Sequence, residues 1–250
     1  MSKTVLITGA GSGFGKLASV MLAERGHTVI ATTETQQQAD DLAAEHPELT
    51  VAKLDITDPD DVATVDRWDL DVLIANAAMG QTGPLAAIPI ERIRRIFEVN
   101  VFGTFAIVQR VANAMKAKRS GRILIVSSIA GVRAGKGSGP YSMTKHAVQA
   151  MGGALRNELA DFGVDVATIN PGPYATGFND RMVNDLGDWY DPSTADPEDV
   201  ATMNALRERI TVGQLDPFEV AQRYVELVEA DETEPVNFVP PDILERLSRN

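Results

Sequence analysis

Tyr141, Lys145 and Ser128 are side chains whose types and spacing suit a proton-transfer reaction. Tyr141 and Lys145 lie four residues apart in Tyr-Ser-Met-Thr-Lys, so in a helix they share one face. A free tyrosine has a pKa of about 10 and is a poor base at neutral pH, but a neighbouring ammonium group lowers that pKa. The phenol can then protonate a carbonyl oxygen or take the proton from an alcohol.

Ser128 follows an apolar run and supplies a hydroxyl for the same reaction. That hydroxyl can hydrogen-bond the substrate oxygen and stabilise the charge that develops there. Ser127 is the alternative, but neighbouring residues of a strand point to opposite faces of the sheet. The sequence has no cysteine and only three widely separated histidines, so we expect neither a Cys-based nucleophile nor a metal site.

A glycine-rich segment, residues 8–15, lies between the first apolar run and a helical pattern. Small residues there let the backbone approach a diphosphate, whose charge meets free N–H groups at the helix N-terminus. A glycine-rich turn alone is a weak signal, but between a strand and a helix it predicts a dinucleotide site. The loop residues expected at the cofactor are Gly9, Gly11, Ser12, Gly13, Phe14 and Gly15.

Short apolar runs alternate with helical patterns along almost the whole chain. This alternation predicts an α/β fold, a single-domain Rossmann-type doubly wound parallel sheet of about seven strands with helices on both faces. We expect one domain over residues 1–250, with residues 177–215 as a substrate-binding loop or lid and residues 177–197 irregular. The predicted strands are 4–8, 28–32, 50–54, 71–75, 122–127, 165–169 and 236–239, and the predicted helices are 13–25, 35–45, 90–118, 141–162, 197–210 and 217–229.

The spacing Thr8-Gly9-x-x-x-Gly13-x-Gly15, followed by Tyr141-x-x-x-Lys145, resembles the short-chain dehydrogenase/reductase family over most of the chain. The resemblance implies an NAD(P)-dependent oxidoreductase that transfers a hydride between nicotinamide and a secondary alcohol or ketone. It implies that Tyr141 moves the proton, while Lys145 tunes Tyr141 and holds the nicotinamide ribose. Ser128 precedes Tyr141 by the family's usual thirteen residues, and Asn100 matches an asparagine that holds a water on the proton path.

The same resemblance assigns further cofactor contacts. Asp55 and Ile56 stand where the family meets the adenine ring, and the threonine of the segment after the sixth strand reaches the nicotinamide carboxamide. Asn-Ala-Ala stands where the family shows Asn-Ala-Gly. These positions are Asp55, Ile56, Asn76, Ala77, Ala78, Pro171, Gly172, Tyr174 and Thr176.

Cofactor choice depends on the residues at the end of the second strand, where the adenosine ribose is expected. Thr32 stands where NAD-preferring members usually place aspartate, and Thr33 and Glu34 follow it. Because a carboxylate next to a 2′-phosphate is penalised, Glu34 favours NAD. Lys16 could hold that phosphate instead, so NADP stays open.

The substrate pocket is expected to be partly apolar. Arg133 and Arg181 are either contacts for an acidic group or surface charges. The candidate pocket residues are Ile129, Val132, Ala134, Tyr174, Phe178, Met182, Trp189 and Tyr190.

A net charge of −12 disfavours nucleic acid and anionic lipid as partners. No signal peptide is seen, and no apolar stretch reaches the roughly 20 residues that span a bilayer, so we expect a cytoplasmic protein without membrane contact. The family resemblance implies a homodimer or homotetramer, often through helices 90–118 and 141–162. Two alternatives are a dinucleotide-sensing regulator without catalysis and a lyase or epimerase on the same fold.

Overall fold

Seven parallel strands form one twisted sheet in the computed structural model, which describes residues 1–248. The strand order is β3-β2-β1-β4-β5-β6-β7, so the chain winds outwards in both directions from the β1–β4 pair. This is the predicted Rossmann-type doubly wound sheet. The strands are β1 (Thr4–Ile7), β2 (Thr28–Thr33), β3 (Thr50–Lys53), β4 (Val72–Ala75), β5 (Gly121–Val126), β6 (Val164–Pro171) and β7 (Val236–Val239).

Ten α-helices cover the sheet within residues 1–248. They are α1 (Gly13–Glu24), α2 (Gln36–Glu45), α3 (Pro59–Ala63), α4 (Ile90–Phe97), α5 (Thr104–Lys118), α6 (Gly139–Leu159), α7 (Phe178–Asn184), α8 (Pro197–Thr211), α9 (Phe218–Glu229) and α10 (Ile243–Ser248). None of the helices in this described part of the chain is long and apolar enough to cross a membrane.

Alternate residues of each strand feed two cores, one on each face of the sheet. In β1, Val5 and Ile7 pack with residues of α1 and α9, while Leu6 packs on the opposite side with residues of α5 and α6. All three side chains are fully buried. Burial on both faces explains why the strands are near-continuous apolar runs rather than alternating ones.

Two segments differ from the predicted pattern. The predicted helix 90–118 is interrupted by a π-helical turn, Glu98–Gly103, which separates α4 from α5. A π-helical turn changes the hydrogen-bond register over a few residues only, and the apolar pattern of the sequence does not distinguish it from continuous α-helix; π-turns often occur at functional sites. Residues 177–197, predicted to be irregular, begin with α7 and a 3₁₀ turn, Asp185–Asp188.

Candidate active site

A cleft of about 920 Å³ lies at the carboxyl ends of the central strands. It opens where the strand order reverses between β1 and β4, the place at which doubly wound sheets bind ligands. Pockets for small molecules and cofactors are typically of roughly 300–1,000 Å³. The cleft is therefore large enough for a dinucleotide fragment together with a small substrate.

The glycine-rich loop forms one wall of this cleft, through Gly9, Gly11, Ser12, Gly13 and Phe14. Gly9 has a φ of +67°, and a Cβ on it would lie 2.8 Å from the Cα of Ala77. The first turn of α1 carries no acidic side chain, so its N–H groups are available to an anion. The backbone of the glycine-rich loop and the free N–H groups at the start of α1 together fit a diphosphate.

Gly15 is not among the residues that line the cleft, and its contact with a cofactor stays a prediction. A Cβ on Gly15 would lie 2.6 Å from the main-chain oxygen of Gly9 and 2.8 Å from Nδ2 of Asn76. Its hydrogen side chain therefore allows the loop to pack closely onto the start of α1.

Asn76 fixes the loop from the end of β4. Its Nδ2 donates to the main-chain oxygens of Thr8, at 2.9 Å, and Gly9, at 3.1 Å. Its Oδ1 accepts a 3.0 Å hydrogen bond from the hydroxyl of Tyr224, a fully buried residue of α9. Tyr224 escaped the sequence analysis because it lies 148 residues from Asn76 and belongs to no local motif.

The polar end of the cleft is lined by Thr33, Glu34 and Gln38. Thr32 is not among the lining residues, because its side chain is fully buried and donates to the main-chain oxygen of Ile7 at 3.1 Å. The position that faces a ribose is therefore occupied by Thr33 and Glu34.

Lys16, considered as a phosphate ligand, points elsewhere. Its Nζ forms a 2.6 Å ion pair with Glu45 of α2, and it does not line the cleft. In this structure the Lys16 ammonium is thus engaged by Glu45 rather than directed at the cleft.

Asp55 and Ile56 line the cleft beside the end of β3, as do Ala77 and Ala78 after β4. Oδ1 of Asp55 accepts hydrogen bonds from the main-chain nitrogen of Thr57, at 2.9 Å, and from its hydroxyl, at 2.7 Å. The turn after β3 is thereby held in one shape.

Tyr141, Lys145 and Ser128 meet at the floor of the cleft. Pro140 begins α6 together with Gly139, and the four-residue spacing brings Tyr141 and Lys145 onto one helix face. Nζ of Lys145 lies 5.7 Å from the centroid of the Tyr141 ring and donates to the main-chain oxygen of Val126 at 2.8 Å. The Ser128 hydroxyl hydrogen-bonds Tyr141.

Ser127, the alternative to Ser128, has its hydroxyl engaged in packing the sheet against α6. It donates to the main-chain oxygen of Lys145 at 3.2 Å, and the residue is buried. The Ser128 hydroxyl accepts from the main-chain nitrogen of Ala130 at 3.1 Å and faces Tyr141. Of the two serines, Ser128 has the geometry to act on a substrate oxygen.

Burial shifts both titrating groups of α6. Desolvation raises the pKa of the Tyr141 phenol above its ordinary value, and the hydrogen bond with Ser128 opposes this only in part. Desolvation also lowers the pKa of the Lys145 ammonium to about 8. The pKa of Tyr141 is thus raised, whereas the sequence led us to expect that Lys145 would lower it.

Asn100 lies in the π-helical turn and does not line the cleft. Its Oδ1 accepts from the main-chain nitrogen of Met79 at 2.8 Å, and its Nδ2 donates to the Met79 oxygen at 2.9 Å and to Thr144 at 3.1 Å. The fully buried side chain joins the segment after β4 to α6. No atom of it is directed at the reacting groups.

The segment after β6 closes the cleft through Pro171, Gly172, Tyr174 and Thr176. The Thr176 side chain packs on Gly13, 3.1 Å from the position of an added Cβ. Tyr174 lies mostly in the core, and its hydroxyl donates to Glu219 at 2.8 Å. Only an edge of Tyr174 therefore reaches the cleft.

One wall of the cleft is formed by Phe178 and Met182 of α7, and it is called the substrate wall below because a substrate is expected there. The ring of Phe178 lies 5.7 Å from that of Tyr141, and Met182 lines the same side, as predicted.

Met79, Gly80, Arg95 and Val99 line the cleft as well, although no sequence motif marked them. Of the two arginines considered for the pocket, Arg181 lines the cleft and Arg133 does not. Five of the predicted pocket residues also lie outside the cleft: Ile129, Val132, Ala134, Trp189 and Tyr190.

Close contacts attach α7 and its following turn to the loop after β4. A Cβ on Gly80 would lie 2.7 Å from Met182, and one on Gly83 would lie 2.6 Å from the ring of Trp189. Arg92 of α4 forms a 2.7 Å ion pair with Asp185. Trp189, which follows the turn after α7, thus packs against Gly83 in the loop after β4.

Comparisons with known proteins identify the family of this chain. The model of the short chain dehydrogenase family matches residues 3–187. The chain is 35% identical over 185 residues to the uncharacterized oxidoreductase YusZ of Bacillus subtilis, covering 70% of this chain and 66% of that protein. It is 31% identical over 207 residues to retinol dehydrogenase 8 of Homo sapiens, covering 78% and 66%. The match spans just under two thirds of each of these relatives.

Solved structures share the fold over nearly the full chain. A short-chain dehydrogenase from Streptomyces avermitilis has a TM-score of 0.85 and 26% identity, covering 100% of this chain and 92% of that one. A short-chain dehydrogenase from Sphingobium yanoikuyae in complex with NADPH has a TM-score of 0.76 and 26% identity, covering 99% and 91%.

Proposed function

The chain belongs to the short-chain dehydrogenase family of oxidoreductases, and we propose that it transfers a hydride between a nicotinamide cofactor and a secondary alcohol or ketone. One observation carries the proposal: Tyr141, hydrogen-bonded to Ser128, shares the cleft with Lys145 and the glycine-rich loop. When bound, the nicotinamide supplies the hydride acceptor or donor. The protein supplies the binding surface and the proton.

Tyr141 gives or takes the proton at the substrate oxygen. Because burial raises its pKa, the phenol is protonated at neutral pH and suits the protonation of a ketone oxygen during reduction. Ser128 hydrogen-bonds the same oxygen and stabilises charge on it. Lys145 places a buried cation beside the phenol and holds the nicotinamide ribose.

Asn100 acts indirectly in this proposal. Its side chain is occupied by Met79 and Thr144. It positions α6 relative to the loop after β4. A role of Asn100 in a water path for the proton would therefore use its main-chain atoms.

We favour NAD over NADP. Glu34 lies at the ribose end of the cleft, where a carboxylate accepts hydrogen bonds from free ribose hydroxyls and repels a 2′-phosphate. Lys16, the basic residue that would have offset this repulsion, is paired with Glu45. A preference for NADP in the cofactor assay would contradict this choice.

The substrate has apolar bulk next to its reacting carbon. Phe178, Met182, Met79 and Val99 give that part of the cleft an apolar surface. A relative named retinol dehydrogenase 8, which acts on an apolar alcohol, supports this choice.

The direct test is turnover of a panel of alcohols and ketones with NAD(H) and NADP(H), followed by absorbance of the reduced cofactor. We expect oxidation or reduction that requires Tyr141. Cofactor binding without turnover of any compound would favour a dinucleotide-sensing regulator. Conversion of a substrate without net change in the cofactor would favour a lyase or epimerase.

We further infer a cytoplasmic homodimer or homotetramer. Phe102 of the π-helical turn and Phe105 at the start of α5 expose apolar rings, 58% and 42% accessible, on a surface that a second copy could cover. Sedimentation of the purified protein tests the oligomer, and cell fractionation tests the compartment.

A further inference from the structure

Arg181 is a cation of the cleft that has no hydrogen-bond or ion-pair partner for its side chain among residues 1–248. The chain has 35 acidic and 23 basic side chains, so partners are plentiful. Arg92, near the cleft, uses one of them and pairs with Asp185 at 2.7 Å. An arginine left unpaired in a cleft is available to an anionic ligand.

A short series of contacts connects Arg181 to the glycine-rich loop. The Thr176 side chain packs on Gly13, at 3.1 Å from an added Cβ. Gly177 follows with a φ of +73°, and this left-handed turn starts α7 at once. Nη1 of Arg181 then lies 3.1 Å from the position of a Cβ on Gly177.

The glycine-rich loop presents positive charge towards the same space. The first turn of α1 has no acidic residue, and Ser12 forms no side-chain cap. An anion at this helix end would meet main-chain N–H groups, and the exposed side chain of Arg181 lines the same cleft. Arg95 of α4 also lines the cleft without a partner for its side chain in the described chain, whereas Glu98 and Asp185 are acids of the same walls.

We propose that Arg181 binds a phosphate oxygen of the dinucleotide and thereby couples cofactor binding to the position of α7. This inference rests on the proposed function, because it requires that a dinucleotide binds at residues 9–14. Since α7 carries Phe178 and Met182, the bound diphosphate would also fix the substrate wall. The alternative ligand of Arg181 is a phosphate or carboxylate group of the substrate.

The test compares Arg181→Gln and Arg181→Lys with the wild type by calorimetric titration. The probes are ADP-ribose, which carries a diphosphate, and adenosine, which carries none. We expect Arg181→Gln to weaken ADP-ribose binding about tenfold, with a smaller salt dependence, and to leave adenosine unchanged. Arg181→Lys should lie between the two.

Arg209→Gln is the matched control, because Arg209 is an exposed arginine of α8 that does not line the cleft. It should bind ADP-ribose like the wild type, and thermal unfolding should show that all variants fold. Unchanged ADP-ribose binding in Arg181→Gln overturns the proposal. A raised KM for anionic ketones alone would then assign Arg181 to the substrate. A wild type that binds neither ADP-ribose nor NAD(H) would instead overturn the proposed function.

Discussion

Nζ of Lys145 lies 5.7 Å from the centroid of the Tyr141 ring, and Lys145 is buried. Its hydrogen bond to the main-chain oxygen of Val126 compensates only part of the cost of burying a cation. Groups kept at such a cost are typical of functional sites, where stability is lower than it could be. Lys145 should therefore leave a signature in the pH dependence of stability.

We predict that the wild type gains stability over Lys145→Met as pH rises from 8 to about 10.5. Burial lowers the pKa of Lys145 from 10.5 to about 8, so in this window the unfolded chain holds a proton that the folded chain lacks. The unfolding free energy of the wild type should rise relative to the variant by about 1–3 kcal/mol. Urea denaturation at several pH values measures it, and a difference independent of pH would contradict the lowered pKa.

Tyr141→Phe should fold and bind cofactor but lose about 10²–10⁴-fold in kcat, because the proton-transfer group is removed. Tyr190→Phe is the control. The Tyr190 hydroxyl is buried without a partner in the described chain and does not line the cleft, so its loss should leave kcat unchanged. Near wild-type turnover by Tyr141→Phe would exclude Tyr141 as the proton donor.

Gly15→Ala should destabilise the fold by about 1–3 kcal/mol and weaken cofactor binding. Its Cβ would lie 2.6 Å from the Gly9 main-chain oxygen, so the loop must shift. Gly153→Ala is the matched control, because Gly153 is an exposed position of α6 with nothing within 4 Å of an added Cβ. That change should stabilise the protein by about 0.5–1 kcal/mol. Equal melting temperatures for the two variants would show that the loop tolerates a side chain at Gly15.

Much of the fold and the reacting groups could be predicted because their signals are local. Strands buried on both faces must be apolar runs, and the Gly9–Gly15 and Tyr141–Lys145 spacings each lie within one short segment. The contacts that could not be predicted are those between segments that lie far apart in the sequence. The Tyr224–Asn76 hydrogen bond, the Trp189–Gly83 contact and the Lys16–Glu45 ion pair each depend on tertiary structure.

Asn100 shows a different limit of sequence reasoning. Its residue type and place in the chain predict a part in the proton path, and this stays a prediction, but they do not predict that its side chain, carried by a π-helical turn, hydrogen-bonds Met79 and Thr144. A sequence pattern identifies the residue and not the rotation of the helix that carries it.

Glu34→Arg should shift the ratio of kcat/KM for NADP over NAD upward by at least about tenfold. The change removes a carboxylate from the ribose end of the cleft and adds a guanidinium that can pair with a 2′-phosphate. Glu24→Arg makes the same charge change on the exposed end of α1, away from the cleft, and should leave the ratio unaltered. An equal shift in both variants would indicate a general effect of net charge.

Gly83→Ala should raise the KM for the alcohol or ketone about three- to tenfold while leaving the cofactor Kd unchanged. The added Cβ would lie 2.6 Å from the Trp189 ring, and the displaced ring would loosen the turn that follows α7. Because α7 carries Phe178 and Met182, the substrate wall would lose its fixed position, while the glycine-rich loop on the other side is untouched.

Gly187→Ala is the matched control for this change. It lies in the turn just before Trp189, and an added Cβ there meets nothing within 4 Å. Its KM should equal that of the wild type, and Trp189 fluorescence should change in Gly83→Ala alone. A Gly83→Ala protein with altered fluorescence but a normal KM would show that Trp189 does not support the substrate wall.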